Sequence, residues 1–365
     1  MTTTAPTRPA SGPALLVPST RARLGRRVLR AVVAALLLLV PVALLGLLPR
    51  TTGVSWTDVL TAVRSVSVGW LVVLSAVWWA GLVAHSLVLT SSLPGLTSRR
   101  AVSLNLAGSA VANSVPLGGA LSMGVTTAMA RSWGFAPVAL GAFLTVSAVW
   151  NVLIRLIVGL LALTWLAVTR TGHIWQASGV MLGSVAVAVL LAGWVLLRER
   201  STARLGWRIG LLLNALGPAR RDRRAARDAV VERAPALALS FIRVRRQALR
   251  LIARSWTRLS LGMLGYLALL ALLLDLCLRS IGSPQAALVV IAAVGVERLA
   301  SAVPLTPGGA GVAELGLVGC LTLCGVPPVT AVAATLIYRL FTFFLEIPAG
   351  LLVTAGWGLS RRRAI

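Results

Sequence analysis

Apolar runs about as long as a bilayer crossing alternate with short polar hinges along most of this chain. A membrane core takes about 20 apolar residues of helix. That measure is met at residues 28–48, 69–93, 137–168, 174–197, 259–277, 284–303 and 329–357. Two other apolar stretches are cut. Residues 101–130 are interrupted at Asn113, Pro116, Gly118 and Gly119, and the run after residue 303 meets Pro304, Pro307, Gly308, Gly309 and Gly311 before a short helix at 311–323. Proline lacks a backbone donor and glycine has the most conformational freedom to lose, so neither helix runs on unbroken. The expected fold is all-α: a polytopic membrane bundle of about 7–8 spans with two broken or re-entrant helices.

The polar segments divide the chain into four parts. Residues 1–27 read as a disordered, basic cytoplasmic tail, 28–197 as a first membrane half, 198–258 as an Arg-rich cytoplasmic arm, and 259–365 as a second half. A cleaved signal peptide is the competing reading of residues 28–48. Its apolar core is too long for one, and no small-residue cleavage site is evident. In the arm, Leu237, Phe241, Val244, Ala248 and Ile252 recur at helical spacing while Arg243, Arg246, Arg250, Arg254 and Arg258 take another face. The arm reads as a basic amphipathic helix on anionic headgroups, with a solvated linker as the alternative. Arg361, Arg362 and Arg363 favour a cytoplasmic C-terminus; either the second break and its short helix complete a crossing, the preferred reading, or the terminal arginines are exceptional.

Composition sharpens this picture. With 58% hydrophobic and 12% charged residues, the chain is far too apolar for a soluble globule. The net charge of +26 suggests nucleic-acid binding until its carriers are located: they are all arginines, mostly in short runs flanking apolar segments. Such runs follow the positive-inside rule, place the N-terminus in the cytoplasm, and argue against a nucleic-acid partner. Cys277, Cys320 and Cys324 lie in apolar segments and read as helix-packing residues. Two distant histidines offer no metal-ligand spacing, and no nucleotide loop or hydrolase motif is present, so no metal, cofactor or catalytic group is expected.

The two breaks belong to a degenerate repeat. Ser114 to Ala120 parallels Ala302 to Leu305 with Gly308, Gly309 and Ala310. Gly134-Phe135-Ala136-Pro137 parallels Gly325-Val326-Pro327-Pro328, and Gly159 and Gly350 follow at equal distances. Repeat-built transporters place their sites where two such breaks meet.

An ionised side chain at membrane depth needs a partner or a task. The candidates are Arg155, Asp275, Glu297, Arg298, Glu314, Arg339 and Glu346. Arg155 and Glu346 occupy equivalent repeat positions with opposite charge, so they are placed to meet. Neighbours on a helix point to different faces, which argues against a Glu297–Arg298 pair. Arginine forks match phosphate oxygens, so Arg298 and Arg339 suit a lipid phosphate, while Glu297 and Glu314 suit a cationic group or a proton. Mutual salt bridging that merely fixes helix packing is the alternative for the whole set.

Pro304-Leu305-Thr306-Pro307-Gly308-Gly309-Ala310-Gly311-Val312-Ala313-Glu314, followed by Arg339 in an apolar helix, resembles the signature of the flippase-like transmembrane domain of bacterial lysylphosphatidylglycerol synthases. The resemblance implies a lipid-translocating membrane domain. The arm, at roughly 60 residues, is too short for an aminoacyl-transferase domain, so no enzymatic activity is expected. The partners implied are membrane lipids: an anionic or aminoacylated phospholipid, or a polyprenyl phosphate. Self-association into a homo-oligomer is left open. The reading is a passive or proton-coupled lipid transporter of the cytoplasmic membrane, with substrate bound at Arg155, Glu297, Arg298, Thr306, Gly308, Gly309, Gly311, Glu314, Arg339 and Glu346. A non-transporting anchor or regulator of a separate lipid- or glycan-modifying enzyme is the alternative.

Overall fold

The computed structural model describes residues 53–115, 118–171, 223–301 and 306–362. The spans expected at 28–48 and 174–197, the basic tail, and Pro116, Pro304 and Arg363 lie outside them. Every regular element described is helical. Among the described residues, four helices are long and apolar enough to cross a membrane: Val68–Ser92, Pro137–Leu166, Leu239–Ser280 and Pro328–Ser360.

A short helix, α1 (Trp56–Arg64), starts at Ser55, whose hydroxyl accepts the Thr57 N–H. Next, α2 (Val68–Ser92) is capped by Ser67 in the same way. The first break separates α3 (Ser98–Ser114) from α4 (Gly118–Ser132). The long helix α5 (Pro137–Thr171) follows, then α6 (Arg223–Ser280). The helix α6 runs without interruption through residue 258, where the polar arm is expected to give way to the membrane span. It buries Ala248, Leu251 and Leu259 in a cluster with Val88 of α2 and Ala142 and Val146 of α5, while the five face arginines of the amphipathic pattern are exposed.

The second break separates α7 (Ala287–Ala300) from α8 (Val312–Leu323) through a 3-10 turn, Pro307–Gly309. Gly308, Gly309 and Gly311 have φ of 55°, 72° and 87°, the left-handed region that L side chains avoid. These angles turn the chain back, and α8 lies against α7 as α4 lies against α3. The last segment begins as α9 (Pro328–Arg339), passes through a π turn at Leu340–Phe344, and ends as α10 (Glu346–Arg362).

The repeat is visible in this order: a pre-break helix, a break, a post-break helix, then a long helix opening on proline. The halves exchange partners, since α5 packs on α7 and α10 on α3. Gly159 and Gly350 sit at these two crossings. A Cβ on Gly159 would fall 2.8 Å from the Gly295 carbonyl, and one on Gly350 would fall 2.0 Å from the Leu106 carbonyl. Without side chains there the backbones approach closely, as membrane helices do at small residues. The largest buried cluster joins α2, α6, α7, α8 and α9 around Leu273, Leu317, Val332 and Tyr338.

Candidate functional site

The two breaks meet inside the protein. Asn113, at the end of α3, lies so near Gly308 that a Cβ there would be 2.4 Å from its Oδ1. Between them is a cavity of about 330 Å³, within the range of ligand sites. The first break contributes Ser109, Ala112, Asn113, Gly118 and Gly119, and the second contributes Ser301, Thr306, Gly308 and Gly309. Arg155, Tyr266, Arg298, Arg339, Thr342 and Glu346 complete the wall.

Two of these residues, Arg298 and Arg339, are held in a network with Glu297 and Glu314. Glu297 is wholly buried at the end of α7. Contrary to the expectation from adjacency, it pairs with Arg298: Nε donates to Oε2 and Nη2 to Oε1 at 2.6 Å. The arginine stem is long enough to curl back around the helix, and the forked geometry rewards it. Glu297 Oε1 also lies 3.6 Å from Arg339 Nη1. Arg339 Nε donates to Glu314 Oε1 at 2.5 Å, and Glu314 Oε2 accepts the Gly311 N–H at 2.6 Å. Glu314 therefore caps α8 from its third position while holding Arg339. The Arg339 guanidinium lies 4.7 Å from the centre of the Phe343 ring.

Glu297, Gly311, Glu314 and Pro307 are not among the cavity-lining residues. The two carboxylates stand behind the arginines, so the cavity surface carries three guanidiniums against one carboxylate, Glu346. Arg155 and Glu346 reach the same cavity as their repeat positions suggested. They make no ion pair within 4 Å, and Glu346 instead accepts a long 3.4 Å hydrogen bond from Asn113. Asn113 also approaches the Phe343 carbonyl at 3.5 Å, inside the π turn. A π turn disturbs the regular carbonyl ladder and often marks a functional site.

Two buried polar atoms of the wall have no hydrogen-bond partner: Arg339 Nη2 and Thr306 Oγ1. Their residues are 3% and 7% exposed. A guanidinium N–H held away from water without an acceptor is costly.

Sequence reasoning missed Ser109, Ala112, Tyr266, Ser301 and Thr342 of the wall. Ser109 lies one helical turn before Asn113, and Thr342 lies between Arg339 and Glu346, so helical periodicity from known site residues finds both. Tyr266 carries no local signal in its apolar run, although it is one of only two tyrosines in the chain. The other, Tyr338, is wholly buried beside the arginine network, with an unpartnered hydroxyl.

Broken helices meeting at an arginine-rich cavity, framed by long apolar helices, define a polytopic helical membrane protein. The chain belongs to the family described as the lysylphosphatidylglycerol synthase TM region, whose model matches residues 28–350. No curated protein and no solved structure matches it.

Proposed function

We propose that this chain is a carrier that moves phosphate-headed lipid across the cytoplasmic membrane, its N-terminus cytoplasmic, without catalysing a reaction. The headgroup occupies the cavity between the breaks while the acyl chains stay in the bilayer. The observation that carries this reading is the pairing of two unsatisfied, buried atoms, Arg339 Nη2 and Thr306 Oγ1, with a wall of three arginines and one carboxylate. A phosphate supplies acceptors for both atoms and for the Arg298 and Arg155 forks.

In this reading Glu297 and Glu314 are positioning residues that hold Arg298 and Arg339 in place. The cation-holding role passes to Glu346, which faces the cavity and suits the ammonium of an aminoacylated headgroup. The carboxylates also reduce the cost of burying the arginines, which would be prohibitive alone.

Reconstitution into proteoliposomes tests the proposal. Fluorescent phosphatidylglycerol, aminoacylated phosphatidylglycerol and polyprenyl phosphate are each scored for exposure to an impermeant quencher. Arg155→Gln is the informative variant, because among the described residues Arg155 has no ion pair whose loss would disturb the fold. Its rate is expected to fall about tenfold or more, with an unchanged melting temperature. Gly124→Ala, where a Cβ meets nothing within 4 Å, is the control and keeps the wild-type rate. Absence of translocation for all three lipids, or a wild-type rate in Arg155→Gln, sinks the proposal.

A further inference from the structure

A second cavity, about 460 Å³, adjoins the first. The two share Arg155 and Gly119 in their walls. They are also joined through a ring contact, since Tyr266 of the first cavity lies against His85 of the second with centroids 4.9 Å apart and the rings tilted by 43°. The second wall is mixed. Leu104, Phe143 and Leu156 give it an apolar surface, while His85, Asn105 and Asn151 bring polar groups from α2, α3 and α5. Among the described residues the buried His85 Nδ1 makes no well-formed hydrogen bond, although the Asn105 side chain lies close enough to interact with the ring. An alkyl chain would leave that atom unsatisfied, whereas a headgroup oxygen or hydroxyl would not.

This cavity reaches the outside. Met123 and Val152, both in its wall, are 46% and 55% exposed, and nearby Leu121 is 53% exposed. The opening therefore lies on an apolar outer surface of α4 and α5. In a membrane such a surface faces hydrocarbon, where a lipid arrives and a water-soluble anion does not.

We infer that the second cavity is a lateral portal through which a phosphate-headed lipid passes between the bilayer and the enclosed site. The inference rests on the translocation reading above. Arg155 reaches both cavities, so its guanidinium holds the phosphate through the neck. His85, Asn105 and Asn151 form a polar station for the remaining headgroup oxygens, while the chains stay outside the Met123–Val152 mouth.

Two substitutions block this path without touching the arginine network. Gly119→Leu fills the neck, where a Cβ has nothing within 4 Å, and Val152→Trp obstructs the mouth from the outer surface. Each is reconstituted beside wild type and Gly124→Ala, with melting curves to establish folding. Translocation of fluorescent phosphatidylglycerol is expected to drop to the protein-free background in both variants, and uptake of radiolabelled inorganic phosphate to be absent throughout. A wild-type rate in either folded variant overturns the portal while leaving translocation intact; where Gly119→Leu fails to fold, Val152→Trp decides. Inactive wild type overturns both readings, and phosphate uptake by wild type overturns the assignment to lipid.

Discussion

Arg339 Nε and Glu314 Oε1 meet at 2.5 Å although 25 residues separate them, joining the start of the π turn to the start of α8. Both side chains are almost wholly buried, at 3% and 4% exposed. Removing one member of such a pair leaves the other's charge uncompensated, which costs about 3–5 kcal/mol. Glu314→Ala should therefore lower the stability measured by chemical unfolding in detergent by that amount, and it also loses the cap on Gly311. A cost below about 1 kcal/mol, the range of an exposed pair, would mean that this bond does not hold the break together.

The Glu297–Arg298 pair leads to a different expectation. Arg298 uses two nitrogens of its fork on one carboxylate, and lysine cannot reproduce that geometry. Arg298→Lys keeps the charge but should lose about 1.5–3 kcal/mol, the worth of one hydrogen bond to a charged group. The same unfolding measurement checks it. Stability equal to wild type would show that charge alone, without the fork, satisfies Glu297.

At the contact between the breaks, Gly308→Ala should be more harmful than its size suggests. The residue has φ of 55°, where a Cβ costs about 1–2 kcal/mol. The new methyl also lands 2.4 Å from Asn113 Oδ1 and 2.7 Å from the Phe343 ring. A double-mutant cycle with Asn113→Ala separates the two effects: relief of the clash should be seen as coupling, with the backbone strain remaining. Zero coupling would mean that the breaks do not touch in the membrane.

The arrangement was legible in the sequence where composition alone dictates it. Proline and glycine announced both breaks, and the equal spacing of Gly159 and Gly350 announced the repeat, because these residues act through the backbone. Charges placed in apolar runs named most of the ionised side chains that the fold brings together around the cavity, since each needs a partner. Which partner was not legible. Adjacency separated Glu297 from Arg298 on paper, but an arginine side chain is long enough to defeat a rule about helix faces. Whether Glu297 and Glu314 line the cavity or stand behind the arginines depends on how α7, α8 and α9 pack, which no local pattern encodes. The π turn was equally invisible, because Leu340–Phe344 has the composition of any apolar helix.

The exchanged packing of the halves makes a prediction about four glycines. A methyl at Gly350 would lie 2.0 Å from the Leu106 carbonyl and 2.5 Å from Ala110 Cβ, and one at Gly159 would lie 2.1 Å from Leu299 Cγ. Backbone and packed side chains yield little, so alanine at either site should cost about 1–3 kcal/mol through overpacking. Gly124 and Gly319 are also helical, but a methyl at either meets nothing within 4 Å. There alanine should be neutral or stabilise by about 0.5–1 kcal/mol, by restricting the backbone. Melting of the four single variants in one detergent gives the comparison. If α5 and α10 really pack across onto the opposite half, Gly159→Ala and Gly350→Ala must be damaged together. Damage at only one of them would contradict the exchange, because the two crossings are copies of one another.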